Sequence, residues 1–230
     1  MKNKRSSTII VTKDGPYVVS GAVPLAEMKI VGDSQGNLKE WKQGNSFEVK
    51  ESYALCRCGK SGQAPFCDGT HAKSGFKGAE TASKESFDKQ KKTIDGRSLI
   101  LEDAAQFCSS AGFCVSKLSV WDSMKDSGNP EIRNMIVKEV ECCPSGRLVV
   151  REKETGKALE PKLPVSIGIV DDTTEKCSGP LWVRGGVQIE SQDGESYEIR
   201  NRVTLCRCGV SKNKPFCDGS HIKAKYQDGR

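Results

Sequence analysis

The sequence predicts an α+β protein in which two related β-rich modules flank an α+β middle domain of a different kind. Two observations lead to this prediction. The 16-residue segment Cys56–His71 recurs without a gap as Cys206–His221, with 11 identical positions. The residues between the two copies carry helical patterns that neither copy shows. We therefore predict a first module at 1–80, a charged linker at 81–94, a middle domain at 95–172 and a second module at 173–230.

The β-rich character of the modules follows from short apolar and alternating segments. Ser7–Val11 and Tyr17–Val19 are typical of strands separated by a Gly-Pro turn. Phe47–Leu55 and Tyr197–Leu205 alternate apolar and polar residues and lead into the cysteines. The polar stretch from Gly32 to Gly44, which lengthens the first module, is predicted to be a surface loop.

The linker and the middle domain have other patterns. The lysine-rich linker favours a solvated connection or a solvated helix face. Ser98–Leu101 predicts a strand, and Glu102–Cys108 predicts a helix with acidic residues in its first turn. Pro130–Val140 predicts a second helix that starts at proline. The segment Cys142–Val150 then predicts a turn that leads into a strand.

Composition narrows the class of protein. A chain of 230 residues with 36% hydrophobic residues can bury a core. The net charge of +6 is spread along the chain, so it favours an acidic protein partner over nucleic acid. No apolar run is long enough to span a membrane, and the basic N-terminus precedes no signal-peptide core. We therefore expect a cytoplasmic protein whose eleven cysteines are metal ligands and reduced thiols.

The repeated segment has the spacing of a metal site. Each copy gives C-x-C-x8-C-x3-H, and the only two histidines of the chain, His71 and His221, occupy its last position. Three thiolates and one imidazole suit zinc or an iron–sulfur cluster. The C-x-C pair is tight for a zinc knuckle, which favours two separate irons, each holding one pair of ligands.

The two segments resemble the CDGSH iron–sulfur (NEET) family over their whole length, and Cys217–His221 reads Cys-Asp-Gly-Ser-His. The resemblance implies one [2Fe–2S] cluster per segment and a pseudo-twofold β-cap formed by the two modules. In each cluster the C-x-C pair would hold one iron, and the third cysteine with the histidine the outer iron. The implied ligands are Cys56, Cys58, Cys67 and His71 in the first module and Cys206, Cys208, Cys217 and His221 in the second.

Other motif residues have simpler interpretations. Asp68 and Asp218 can cap a short helix that aims the histidine, although ordinary turn chemistry explains them equally well. Arg57 and Arg207 stand between two ligand cysteines, and strand alternation points them away from the cluster. We therefore predict that both arginines are solvated.

A histidine ligand has consequences for the chemistry. Neutral imidazole in place of a thiolate raises the reduction potential of a cluster. Imidazole also titrates near neutral pH, so the bond to histidine should be the weak one in acid. We therefore expect proton-coupled reduction, and cluster loss or transfer that acid triggers.

Five cysteines lie outside the two motifs: Cys108, Cys114, Cys142, Cys143 and Cys177. The middle domain resembles the divergent single-cluster 4Fe–4S ferredoxin-like domain, in which Cys143-Pro144 would supply the distant ligand. The run C-x5-C at Cys108 and Cys114 departs from the ferredoxin pattern C-x2-C-x2-C. A third cluster, [4Fe–4S], is one hypothesis; buried free thiols in the ferredoxin-like fold are the interpretation we favour.

The sequence thus indicates a redox-active iron–sulfur protein that transfers electrons or clusters to a partner protein. No histidine remains for acid–base catalysis and no phosphate-binding loop is present, so catalysis is not the favoured role. Two alternatives stay open: a redox enzyme with a substrate site in the middle domain, and a zinc-binding interaction module. The duplicated modules would make a monomer with an internal pseudo-dimer sufficient, and further dimerisation is open.

Overall fold

A computed structural model describes residues 7–230. The strands are β1 (Thr8–Val11), β2 (Tyr17–Ser20), β3 (Leu25–Gly32), β4 (Leu38–Phe47), β5 (Ser52–Leu55), β6 (Lys92–Asp95), β7 (Leu99–Asp103), β8 (Leu148–Glu152), β9 (Ser166–Asp172), β10 (Cys177–Arg184), β11 (Gln188–Glu190) and β12 (Arg202–Leu205). The α-helices are α1 (Thr70–Lys73), α2 (Phe87–Gln90), α3 (Val120–Ser123), α4 (Pro130–Glu141) and α5 (Ser220–Lys223). The protein is α+β, as predicted.

The two outer modules form two mixed sheets that each take strands from both halves of the chain. The first sheet has the order β11-β1-β2-β5, and the second has the order β12-β10-β9-β3-β4. β11 pairs in parallel with β1, with Ile9 opposite Ile189. In the same way β3 pairs in parallel with β9, with Leu25 opposite Ile167. The second half therefore donates β11 to the first sheet, and the first half donates the β3–β4 hairpin to the second sheet, which produces the pseudo-twofold β-cap.

The core of the β-cap lies between the inward faces of these sheets. Both halves of the chain contribute aliphatic side chains to this core, among them Ile9, Val19, Ile167 and Leu205, which are all at most 1% exposed. Apolar burial of this kind stabilises by about 1.5–3 kcal/mol for each large side chain. The two halves therefore share one core.

Two expectations from the sequence need correction in the β-cap. β9 falls in the range predicted for the middle domain, yet its hydrogen bonds go to β10 and β3, and it is the counterpart of β1. Most of the predicted surface loop from 32 to 44 is instead the end of a β3–β4 hairpin. The hairpin is fixed because Trp41 packs on Trp182 and Phe113, at ring-centroid distances of 4.8 and 5.2 Å.

The middle domain has its own sheet, β6-β7-β8, and its own core. α4 begins at the predicted proline; the Asn129 side chain caps it by accepting the N–H groups of Glu131 and Ile132. The helix predicted at 102–108 is wrong. β7 continues to Asp103, and only a 3₁₀ turn at Ala105–Phe107 follows. The Glu102 carboxylate accepts from Arg151 (2.9 Å) and from Lys91, which favours the strand over a helix N-terminus.

The linker at 81–94 is attached to the second module. The backbone N–H groups of Thr81 and Ala82 donate to the Lys214 carbonyl at 2.8 and 2.9 Å. Phe87 is buried in the shared core, and the ammonium of Lys84 contacts carboxylates of the second module. The predicted linker therefore lies against the second module, and its last residues, 92–94, belong to strand β6 of the middle domain.

Candidate metal centres

Each cysteine motif is a tight loop closed by backbone hydrogen bonds. In the first module, Cys56 N–H donates to the Pro65 carbonyl at 2.8 Å, and Cys67 N–H donates to the Ala54 carbonyl at 2.9 Å. These bonds bring the third cysteine back beside the first pair. The second module repeats both bonds within the same distances, from Cys206 to Pro215 and from Cys217 to Thr204.

An aspartate turn then positions each histidine. The Asp68 carboxylate accepts the N–H of Gly62 at 2.8 Å and the N–H of Thr70, the first residue of α1, at 3.0 Å. These backbone donors hold the pKa of Asp68 at about 2. Asp218 makes the equivalent contacts before α5. The carboxylate therefore ties the loop to the helix that carries the histidine, which was one of the two interpretations that the sequence left open.

The ligand side chains come together in pairs. The thiol sulfurs of Cys56 and Cys58 are 3.7 Å apart, and those of Cys206 and Cys208 are 3.6 Å apart. The sulfur of Cys67 lies 3.3 Å from Nδ1 of His71. The sulfur of Cys217 lies 3.4 Å from Nδ1 of His221. All eight predicted ligands thus fall into four pairs, and Nδ1 is the histidine atom that faces its cysteine.

The pair distances match two ligands on one tetrahedral metal. Two sulfurs bound at about 2.3 Å lie about 3.8 Å apart, and a sulfur and an imidazole nitrogen about 3.5 Å apart. Within residues 7–230, no three Cys, His, Asp or Glu side chains converge closely enough to hold one metal ion. The residues therefore fit a centre with two metal atoms, each holding one pair, better than a single ion held by four ligands.

Burial changes the pKa values of the cysteine and histidine side chains in the two motifs. It raises the pKa of Cys58 to about 11 and raises the pKa of Cys67. In the second pair, the hydrogen bond from Cys208 lowers the pKa of Cys206, so the neighbouring thiol stabilises one thiolate. Burial also lowers the pKa of His221, which keeps that imidazole neutral, the form that binds a metal.

The two motifs meet at the pseudo-twofold axis. Cys58 and Cys208 form an antiparallel backbone bridge there. Gly59 and Gly209, at φ +74° and +83°, follow the bridge. A Cβ on Gly59 would lie 2.5 Å from the Cys208 carbonyl oxygen, so the two chains touch backbone to backbone. The Tyr17 hydroxyl of the first module lies 2.8 Å from the Cys206 carbonyl oxygen and adds a second link.

The middle domain brings three further cysteines together. Cys108, Cys114 and Cys143 line a cavity of about 330 Å³, with Trp121 and Arg147 in its wall. These thiols are half-buried rather than fully buried. The charges of Cys143 and Cys108 add to the effect of burial and raise the pKa of Cys114 to about 12.

The cavity also has a cation in its wall. Arg147 is held by two hydrogen bonds of 2.6 and 2.8 Å to the Asp103 carboxylate, and its guanidinium stacks on Trp121. Its pKa is raised by Asp103 and by the facing Cys108. Cys142 lies apart, in the wall of a different cavity, and Cys177 is buried in β10. Three thiols and one guanidinium therefore line this cavity, and the guanidinium can balance the negative charge of thiolates.

Comparison with known protein families confirms the resemblance of the two outer modules and that of the middle domain. The model of the iron-binding zinc finger of CDGSH type matches residues 14–72 and 178–222. The model of the divergent 4Fe–4S mono-cluster domain matches residues 94–153. The chain therefore contains two segments of CDGSH type with a segment of the divergent 4Fe–4S type between them. No curated protein and no solved structure gives a significant match to the chain. The matched domains imply iron–sulfur cofactors.

The arginine of the first CDGSH motif is buried, so the prediction that it is solvated is wrong. Arg57 is 2% exposed and donates to the carbonyls of Thr12 (3.0 Å) and Gly78. Its guanidinium lies over the rings of Tyr17 and Phe76. Strand alternation does point it away from the cysteines, but that direction leads into the β-cap, where carbonyl oxygens take the place of water.

The arginine of the second CDGSH motif is buried in the same way, at 2% exposure. Arg207 donates to the carbonyls of Gly179 (2.7 Å) and Val170 (3.1 Å), forms an ion pair with Asp228 and lies over the ring of Tyr226. Each arginine therefore ties its C-x-C segment to strands of the β-cap and places a fixed positive charge behind the ligand cysteines.

Further from the motifs, the described part of the chain contains no helix long and apolar enough to cross a membrane. None of the eleven cysteines, which all lie within the described residues, forms a disulfide.

Proposed function

We propose that this CDGSH protein is a redox-active iron–sulfur protein that holds one [2Fe–2S] cluster at each motif through three cysteines and one histidine. The observation that carries the proposal is the arrangement of eight ligands in four pairs at metal-binding distances. Such a cluster supplies one-electron redox chemistry when bound.

The chain's own residues have defined parts in this proposal. Cys56 and Cys58 would hold one metal atom of the first centre, and Cys67 and His71 the other; the second motif repeats this arrangement. The buried Arg57 ties the C-x-C segment to the β-cap through the carbonyls of Thr12 and Gly78. The aspartate turn fixes the start of the helix that carries the histidine, and Asp68 itself is not one of the proposed ligands.

The alternative of a zinc-binding interaction module is less well supported. A structural zinc ion needs four ligands around one point. The absence, within the described residues, of any three converging ligands argues against that geometry. The count of metals in the purified protein separates the two cases directly.

We propose further that the protein transfers electrons, iron–sulfur clusters or both. The histidine ligand supports acid-sensitive release, because imidazole is protonated far more readily than a bound thiolate. A partner protein that accepts electrons or a cluster is implied. The cytoplasmic location and the monomer with an internal pseudo-dimer complete the proposal, and the intertwined sheets support the latter.

A third iron–sulfur cluster in the middle domain is a second candidate. The cavity lined by Cys108, Cys114 and Cys143 favours it, together with the facing guanidinium of Arg147. Three protein thiolates would leave one position of a four-iron cluster to another ligand. A redox enzyme would use that open position for its substrate, and free thiols remain the simpler alternative.

The test is a visible absorption spectrum with iron, zinc and sulfide counts on protein purified without chelators and without oxygen. We expect about four irons and four sulfides per chain and a spectrum that dithionite bleaches. About eight irons would place a four-iron cluster in the middle domain. Colourless protein with about two zinc ions would overturn the redox proposal.

Two cysteine variants test which residues bind the iron. Cys67→Ser removes one predicted ligand and should lower the iron content by about two per chain, the content of one cluster. Cys177→Ser changes a buried cysteine outside both motifs and should keep the full count. Equal iron loss in both variants would contradict the assignment of the ligands.

A further inference from the structure

The two CDGSH sites differ in exposure although their sequences are nearly the same. His221 and Cys217 are buried, at 3% and 2% exposure, whereas His71 and Cys67 are half-buried. The greater burial of the second site applies to its cysteine–histidine end. At the C-x-C end it is reversed, since Cys58 is buried and Cys208 is half-buried.

A segment of the middle domain covers the cysteine–histidine end of the second site. We call residues 106–110 the cover loop. The side-chain amide of Asn213 donates to the Gln106 carbonyl at 2.9 Å. A Cβ on Gly219 would lie 2.3 Å from Oγ of Ser110, so the loop is in contact with the second motif. At the equivalent Gly69, a Cβ would meet nothing within 4 Å.

The cover loop also completes the aromatic packing of the second motif. The Phe107 ring stands edge-on to the Phe216 ring, with centroids 5.2 Å apart. In the first motif the equivalent Phe66 receives an edge contact from Tyr53, which comes from its own module. Both phenylalanines also have an edge contact with a second ring of their own module, Phe47 for Phe66 and Tyr197 for Phe216, so Phe107 of the middle domain takes the place of the Tyr53 contact alone.

The β9–β10 hairpin closes the other side of His221. The Tyr226 carbonyl accepts from Ser178 N–H at 2.8 Å, and Tyr226 N–H donates to the His221 carbonyl at 3.0 Å. α5 therefore packs against β10, which is buried along its whole length. The histidine of the second site is enclosed between the hairpin and the cover loop.

We propose that the two CDGSH sites have different roles: the cover loop seals the second site as a retained centre, and the first site exchanges electrons or clusters with a partner. This inference rests on the proposed function and assigns the exchange to one place on the surface, the half-buried end at Cys67 and His71. A partner loop could dock on that end as the cover loop docks on the second site.

The test measures the release of iron from the holoprotein to excess bipyridyl, followed by visible absorbance. We expect a fast phase and a slow phase. Cys67→Ser should remove the fast phase and leave the slow one; Cys217→Ser should do the reverse. One common rate for both sites would overturn the inference.

A matched pair of glycine variants tests the cover loop itself. Gly69→Ala and Gly219→Ala carry the same backbone strain, at φ +86° and +80°, but only Gly219→Ala displaces Ser110. Gly219→Ala should speed the slow phase about tenfold, which corresponds to about 1.4 kcal/mol. Gly69→Ala should leave the slow phase unchanged. Equal effects of the two variants on the slow phase would refute the role of the loop.

Ser110→Gly provides a second variant if Gly219→Ala does not fold. Ser110 has φ +58°, which glycine adopts without strain, and the change removes the side chain that meets Gly219. It should also speed the slow phase. Colourless protein would defeat the proposed function, whereas protein with both clusters and a single release rate would defeat this inference alone.

Discussion

Replacing Gly59 by alanine tests whether the two C-x-C segments meet backbone to backbone at the pseudo-twofold axis. The added Cβ would lie 2.5 Å from the carbonyl oxygen of Cys208 and 2.8 Å from its carbonyl carbon. A backbone carbonyl cannot rotate aside as a side chain can. Relief of the overlap would therefore separate Cys58 from Cys208 and break their bridge.

Two terms contribute to the expected loss of stability. The left-handed conformation at φ +74° costs an alanine about 1–2 kcal/mol. Overpacking against a fixed neighbour costs about 1–3 kcal/mol more. Gly75→Ala is the matched control, since Gly75 has φ +65° and a Cβ there would meet nothing within 4 Å. The control should lose only the first term.

The assay is urea unfolding of the holoprotein, followed by circular dichroism and visible absorbance. Gly59→Ala should lower the free energy of unfolding by about 1–3 kcal/mol more than Gly75→Ala, with a similar dependence on urea. Gly209→Ala provides an internal repeat, because its Cβ would lie 2.6 Å from the Cys58 carbonyl oxygen. A difference below about 0.5 kcal/mol between Gly59→Ala and Gly75→Ala would refute the close approach.

Three further predictions concern charge. His71→Cys and His221→Cys should lower the reduction potential and slow the loss of absorbance in acid, measured by potentiometric titration and by pH jump; unchanged acid lability in the double variant would contradict this. Burial alone would raise the pKa of Asp228, but Arg207 holds it at about 2, so the pair stabilises the fold above about pH 4 and loses this effect as the pH falls toward 2. Asp228→Asn should therefore cost about 3 kcal/mol in urea unfolding at pH 7 and about half of that at pH 3; equal losses would exclude the ion pair. Burial raises the pKa of Glu139 to about 7, above its unfolded value, so the wild type should lose stability as the pH rises from about 4 to 7. Glu139→Gln should lack this slope and be more stable than the wild type at pH 8 by up to about 3 kcal/mol; parallel pH profiles would refute it.

The sequence predicted what local chemistry determines. The motif spacing predicted the pairs that the candidate ligands form, and the proline at 130 marked the start of α4. Asp68 and Asp218 fold back on backbone groups within six residues of themselves, so their role could be read from the segment alone. These features depend on few distant contacts.

The features that sequence reasoning missed depend on partners far along the chain. Arg57 finds its acceptor carbonyls at Thr12 and Gly78, which no local pattern reveals. Acidic residues in the first turn favoured a helix at 102, but Glu102 is satisfied by Lys91 and by Arg151, 49 residues away. Tertiary contacts of this kind override local propensity.

The exchange of β3 and β11 between the halves has a consequence for how the copies can change. In a symmetric homodimer every substitution occurs twice, so both metal sites must stay alike. Here the two copies share one folded body, yet each position is encoded separately. One copy can therefore acquire a cover such as Phe107 on Phe216 while the other keeps an open face. Covalent duplication therefore keeps the architecture of a dimer and allows its two copies to differ in sequence.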